Sequence, residues 1–343
     1  MGKVTPTSAR KNDHIRINLE QDVQSGLSSG LERYHFIHNA LPEINFEEID
    51  LSTTFLGKRL SCPLLISSMT GGHKKTGPIN TSLAEAAQEA GLAMGVGSQR
   101  AALEDPSTAW TFQVRDVAPD ILLFANLGAI QLNYALTIDD CQKAVDMIEA
   151  DALILHLNPL QEALQPEGDA NFGGLLKKIE RVCRKLAVPI VVKEVGWGIA
   201  PAVAKKLVNA GVTAIDVAGA GGTSWSQVEM HRAKDEAQAR LAGAFLQWGI
   251  PTAEVVFSVR EALPEVPLIA SGGIQDGIDA AKCIALGADL AGMASPFLQQ
   301  AVQSSRHVVQ TIEQITKELK TCMFATGSAH ITDLRHADLR VVQ

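Results

Sequence analysis

"ALILHLNPLQE", residues 152–162, begins as a strand and ends as chemistry. Its apolar run leads into His156, and Asn158, Gln161 and Glu162 follow closely. Side chains of a strand alternate between its two faces, so His156 and Asn158 share one face while Leu155 and Leu157 share the other. The leucines are expected under helices, and the polar pair is expected to face an enclosed axis. Pro159 stops the strand, which places Gln161 and Glu162 on the loop beyond it.

The same pattern recurs along the chain. Apolar runs that end in glycine or small polar residues read "PLLISSMTGG" (63–72), "LAMGVGSQR" (92–100), "ILLFANLG" (121–128) and "PIVVKEVG" (189–196). They continue as "AIDVAGAGG" (214–222), "PLIASGG" (267–273) and "LAGMASP" (290–296). Near-continuous apolar runs of this length suit strands buried on both faces. Helix-like stretches lie between them: 79–91, 137–150 with a cap-like Thr137, and 277–288. Alternation of this kind predicts a parallel α/β sheet with right-handed crossovers, and eight strands close a (β/α)8 TIM barrel. An open doubly wound sheet would gather its polar residues at one switch point. Here they sit at the end of nearly every run, which favours the barrel.

One barrel domain is therefore expected across 1–343, with the barrel from about 63 to 325. Residues 1–62 form an N-terminal extension with a short hairpin around 46–60. Residues 223–248 form a long loop or helix excursion after the sixth strand, where a barrel carries its lids.

Composition sets the outer limits. The 343 residues are 46% hydrophobic and 20% charged, with a net charge of −8. An acidic surface argues against nucleic acid or an anionic membrane as partner, and leaves room for a local basic pocket. No apolar run is long enough to span a bilayer, and no charged start leads into an apolar stretch, so neither a membrane span nor a signal peptide is expected. The five cysteines are odd in number and lack CxxC spacing, so a reducing, cytoplasmic compartment is expected.

The strand ends suggest specific chemistry. Lys193 in "VVKEVG" cannot remain unpaired in a dry interior and should face an anion, with Glu194 as a neighbouring partner. "ASGGI" and "AGMA" close the last two strands, where barrels build phosphate sites from backbone N–H groups. Ser68, Thr70, Ser98, Gln99 and Asn126 are hydrogen-bonding groups suited to the edge of a heterocycle. "ARKNDHIR" places Arg10, Lys11, His14 and Arg16 together, a cluster that could dock a multiply charged anion.

Taken in order, "RKNDH", "SSMTGG", "GVGSQR", "HLNPLQE", "KEVGWG", "DVAGAGGTSW" and "SGGI" resemble the type 2 isopentenyl-diphosphate delta-isomerases. "TGSAHITDLR" (326–335) is similar to that family's C-terminal segment. The resemblance implies an FMN-dependent (β/α)8 isomerase of isoprenoid biosynthesis acting on a small diphosphate. It implies that Ser68, Met69, Thr70, Ser98 and Asn126 border the flavin, with Lys193 beside the pyrimidine side of the ring. Thr223, Gly272, Gly273, Met293 and Ala294 would hold the FMN phosphate. Arg10, Lys11, His14, Ser98, Gln99 and Arg100 would receive the substrate diphosphate, helped by His156 and Asn158. Gln161 would lie by the allylic carbons and Glu162 would bind Mg2+. His156, Gln161 and Lys193 form the implied catalytic group. The family also implies NADPH as a transient reductant and a homo-oligomer, tetramer or larger. A rival is an FMN-dependent TIM-barrel oxidoreductase of small organic acids. That chemistry needs a histidine base and an arginine near the late strand ends, and "DVAGAGGTSW" offers neither.

Overall fold

The computed structural model describes residues 6–342, with side chains from residue 13 onward. Eight parallel strands close a barrel: Leu64–Ile66, Ala93–Gly95, Leu123–Gly128, Ala152–His156, Ile190–Lys193, Ala214–Asp216, Leu268–Ser271 and Leu290–Met293. They are ordered around the barrel as in the chain, and the eighth pairs with the first through Ala291–Leu64 and Met293–Ile66. Each expected strand is present, shorter than the run that announced it.

Strand alternation sorts the core into two parts. Leu65, Phe124, Ile154, Val191 and Ile269 point inward and pack together in the barrel lumen. Leu153, Leu155, Val192 and Ile215 point outward, under the helices. Thus Ala152 and Ile154 fill the lumen and His156, next in the same register, emerges at its C-terminal mouth. The N-terminal mouth is closed by a hairpin, Thr53–Phe55 with Lys58–Leu60, whose Phe55 and Leu60 join the lumen cluster.

Local signals explain the helices. Thr137 caps Ile138–Ile148 in a capping box with Asp140. Ser304 caps the 22-residue helix Ser305–Thr326, which ends at Gly327 in the left-handed conformation. One expectation needs correction. Gln161 and Glu162 do not lie on a loop, because Pro159 starts a short helix, Pro159–Leu164, with Asn158 at its N-cap. Proline lacks the N–H that a first helical turn leaves unpaired, and its φ is already helical. It therefore ends the strand and begins the helix.

The extension and the excursion meet over the C-terminal mouth. The excursion holds two helices, Trp225–Arg232 and Glu236–Gly243. The N-terminal helix Pro6–Glu20 lies against the first, and Ile17, Val23 and Val228 form a small separate core there with Trp225. Residues 23–25 then pair with 222–224: Ser25 N–H donates to Gly222 O (2.8 Å) and Ser224 N–H to Val23 O (2.8 Å). No helix among the described residues is long and apolar enough to cross a membrane.

Candidate active site

The C-terminal strand ends and this cover enclose a cavity of about 450 Å³. That volume falls in the range of small-molecule and cofactor sites. Its polar wall is built on the fourth strand and the helix after it. Asn158 Nδ2 donates to Gln161 Oε1 (3.1 Å) and to Glu162 Oε1 (3.0 Å). Glu162 Oε2 accepts from Gln165 Nε2 (2.6 Å) and from Asp169 N–H (2.7 Å). Among the described residues, all the donors to this buried carboxylate are neutral. A buried carboxylate without a cationic partner is expensive, and its oxygens could take a cation.

Gln161 Nε2 donates to Glu229 Oε1 (3.1 Å) on the excursion helix. Glu229 is 1% exposed and also faces His14 Nε2 (3.3 Å) and Arg232. Burial works to raise its pKa, but His14, Arg232 and Gln161 outweigh it and hold the carboxyl below its ordinary value. The His14 ring meets Trp225 edge-on at 5.0 Å. One carboxylate thereby fixes the N-terminal helix, the excursion and the Gln161 amide relative to one another.

The adjoining wall, on the fifth to seventh strands, offers a cation and a hydroxyl. Lys193 Nζ pairs with Asp216 Oδ2 (3.1 Å) and donates to Ser271 Oγ (3.1 Å), which itself donates to Asp216 Oδ1 (2.6 Å). Lys193 and Asp216 are register partners on adjacent strands, so both point into the lumen. The expected partner, Glu194, points the other way, as alternation requires. Its Oε2 accepts the N–H groups of Val195, Gly196 and Trp197 at 2.7, 2.8 and 2.6 Å. Burial pushes the Glu194 carboxyl up to about 7, against the pull of those amides and of Lys193.

The late loops form a glycine crossing. Gly272 and Gly273 have φ of 104° and 73°, and a Cβ on Gly272 would stand 2.1 Å from Gly219 O. Only glycine allows this approach, and it leaves Gly272, Gly273, Thr223, Met293 and Ala294 lining one end of the cavity. Along the first strand end, the hydroxyls of Ser67, Ser68 and Thr70 are buried without a hydrogen-bond partner. Buried orphan hydroxyls are rare. Here they border the cavity with Met69, Ser98 and Asn126 and fit the polar edge of a flavin.

His156 Nδ1 lies 2.8 Å from Asn126 Oδ1, which ties the ring to the third strand end. Arg100 lines the cavity with its Nε on Glu104 (2.6 Å) and NH1 on Asp169 (3.2 Å). Burial works against its charge, yet these carboxylates outweigh burial and raise its pKa.

One expectation does not fall in the cavity. Gln99 is fully buried, donates to Ala144 O (2.8 Å) and accepts from Asn126 N–H (3.0 Å), so both halves of its amide serve the scaffold. Ser98 and Arg100 flank it and point inward. Arg10 and Lys11 are in the N-terminal helix, with side chains outside the described residues. Sequence reasoning missed Gln131, Gln165, Asp169, Asp216, Glu229 and Ser271. The "IQLN" turn after the third strand could have pointed to Gln131, since it follows a polar strand end.

The description "FMN-dependent dehydrogenase" matches residues 21–115 and 158–341. The chain is 58% identical over 332 residues to an isopentenyl-diphosphate delta-isomerase of Nostoc sp., covering 96% of this chain and 95% of that protein. It is 54% identical to the isopentenyl-diphosphate delta-isomerase of Rickettsia bellii, covering 97% of each. Among solved structures it is similar to mandelate oxidase with (S)-2-phenylpropionate (TM-score 0.68, 19% identity, 97% of each chain). It is also similar to a Pediococcus acidilactici lactate oxidase (TM-score 0.66, 18% identity, 100% of this chain and 96% of that one). At such identity the two oxidases share the fold alone.

Proposed function

The chain belongs to the isopentenyl-diphosphate delta-isomerases and to the FMN-dependent dehydrogenase family, and from that premise we propose how its residues divide the work. It is an isomerase interconverting isopentenyl and dimethylallyl diphosphate with FMN as cofactor. One observation carries the assignment of the site: a buried carboxylate, Glu162, held by neutral donors on the rim of a cavity whose far wall carries orphaned hydroxyls.

The reaction adds a proton at one carbon and removes one at another, with no net oxidation. A cation-like transition state favours a site that excludes water and holds fixed dipoles. Reduced FMN, when bound, supplies electron density and acid/base capacity beside the reacting carbons. Ser68, Met69, Thr70, Ser98 and Asn126 would line its ring. Thr223, Gly272, Gly273, Met293 and Ala294 would hold its phosphate, since backbone N–H groups at a glycine crossing suit that anion. Lys193 would hold negative charge near the ring, with Asp216 and Ser271 fixing its ammonium. Arg100, Ser98 and His14 would take the diphosphate with Arg10 and Lys11, helped by His156 and Asn158. Glu162 would hold Mg2+, whose remaining positions suit phosphate oxygens and water. Gln161, fixed between Asn158 and Glu229, would orient the allylic carbons or relay a proton.

NADPH is assigned the part of a transient reductant, since no strand is followed by a GxGxxG fingerprint. The family resemblance suggests a homo-oligomer, tetramer or larger, in which exposed Leu241 and Trp248 on the excursion would meet a second copy, and five free cysteines fit a cytoplasmic setting. One barrel domain would carry the whole activity. The test is an anaerobic assay with isopentenyl diphosphate, dithionite-reduced FMN and Mg2+, followed by NMR. Dimethylallyl diphosphate that forms only with reduced flavin and Mg2+ supports the reading. FMN binding with untouched substrate would overturn it.

A further inference from the structure

We infer that Asp169 is a latch that couples the cation at Glu162 to the diphosphate at Arg100. This rests on the reading above, which gives those two residues their ligands.

The segment "QPEGD", 165–169, is folded directly onto Glu162. Gln165 and the Asp169 N–H both donate to Glu162 Oε2. A Cβ on Gly168 would stand 1.8 Å from Glu162 O, so the turn can close only with glycine there. The Asp169 side chain reaches the other way. Its Oδ2 accepts from Gln131 Nε2 (2.8 Å) and from Arg100 NH1 (3.2 Å). One residue therefore touches the metal-facing carboxylate with its backbone and the anion-facing guanidinium with its side chain.

The charges give the contact a direction. Arg100 is shared by two carboxylates, Glu104 at Nε and Asp169 at NH1. The Asp169 bond is the longer of the two, and both its partners are about a quarter exposed. A diphosphate that reaches Arg100 competes with Asp169 for NH1. Once displaced, Asp169 is a carboxylate without its cation beside the incoming anion, on the residue whose N–H holds Glu162. Like charges so close repel, and a divalent cation relieves the repulsion. Diphosphate without cation then meets a penalty that diphosphate with cation escapes. The two ligands help each other, and linkage makes that help reciprocal.

The experiment titrates isopentenyl diphosphate into FMN-loaded protein by calorimetry, with and without Mg2+. Asp169→Asn removes the charge and keeps an acceptor for Gln131. It should bind the diphosphate about tenfold more tightly than the unaltered protein when Mg2+ is absent, a coupling of ordinary size. The gain in affinity on adding Mg2+ should shrink by the same factor. Asp169→Ser, shorter and also uncharged, should behave alike and covers the case in which Asp169→Asn does not fold. Glu104→Gln removes the other carboxylate from Arg100 without touching Glu162, and should leave the Mg2+ gain intact. An unchanged Mg2+ gain in both Asp169 variants overturns the inference. So does an equal loss in Glu104→Gln, which would make the effect one of charge on Arg100 alone. If the unaltered protein binds no diphosphate with Mg2+ present, the reading of the site fails, a result distinct from either.

Discussion

The two ends of this barrel use polar residues in opposite ways. At the N-terminal end, Arg115 donates to the carbonyls of Ala118, Pro119, Ile121 and Glu149 and pairs with Asp151. Asp151 in turn accepts the N–H of Leu123. Half a barrel away the device is repeated. Arg260 donates to Leu263, Pro264, Val266 and Gly287 and pairs with Asp289, which accepts the N–H of Leu268. There each charge meets its opposite and the strand starts are stitched. At the C-terminal end, among the described residues, Glu162 has only neutral donors and the hydroxyls of Ser67, Ser68 and Thr70 have no partner. Satisfied groups hold the fold, and groups held ready for a ligand carry the function.

Substitutions at the two ends can break that contrast. The largest effect is expected for Glu162→Gln, which should lower kcat/KM at saturating FMN by at least about 100-fold, as disturbed metal sites commonly do. Its melting temperature should stay near that of the unaltered protein. A large fall in melting temperature would move Glu162 to the structural class. Next, Asp289→Ala should cost about 2 kcal/mol in urea unfolding, since it strands the Leu268 N–H and two arginines. Activity per folded molecule should be unchanged, and a loss of kcat would erase the division between the ends. Gln161→Leu should lower kcat about tenfold, less than the roughly 100-fold of a general acid or base, because a neutral amide only orients or relays. Full turnover in that variant would remove its role.

The smallest effect at neutral pH is expected at Glu194. Its folded carboxyl lies near 7 against an ordinary 4.5, so the folded state keeps a proton that the unfolded state has lost between those values. Stability then falls as pH rises through that window. Glu194→Gln should flatten the dependence of melting temperature on pH between 4.5 and 7. A slope unchanged in the variant would show that the group titrates elsewhere.

Much of the fold was legible because alternation and caps are local. Leu155 outward and His156 inward followed from period two, and Thr137 marked its helix by its own side chain. Gln99 lies beyond the strand, at the start of the helix Arg100–Glu104, where period two no longer applies and a polar side chain was taken for a site group. What the sequence could not show is which strand end meets which. Lys193 finds Asp216 through strand register, and Gln161 finds Glu229 across 68 residues of chain. Asp169 was hidden for a simpler reason: it sits past the strand end, in a turn whose shape depends on Gly168 lying against Glu162.

The stitching of residues 23–25 to 222–224 also bears on how the protein is made. The N-terminal segment leaves the ribosome well ahead of its partners, which emerge about 200 residues later. Contacts so distant in sequence form late and slowly. Until the sixth strand and its excursion exist, Ile17 and Val23 have no apolar surface to cover and His14 has no Glu229 to meet. The N-terminal half of the cover is thus made well before its partners and is among the last parts to settle, and a nascent chain cannot close its reaction chamber until most of the barrel wall has been translated.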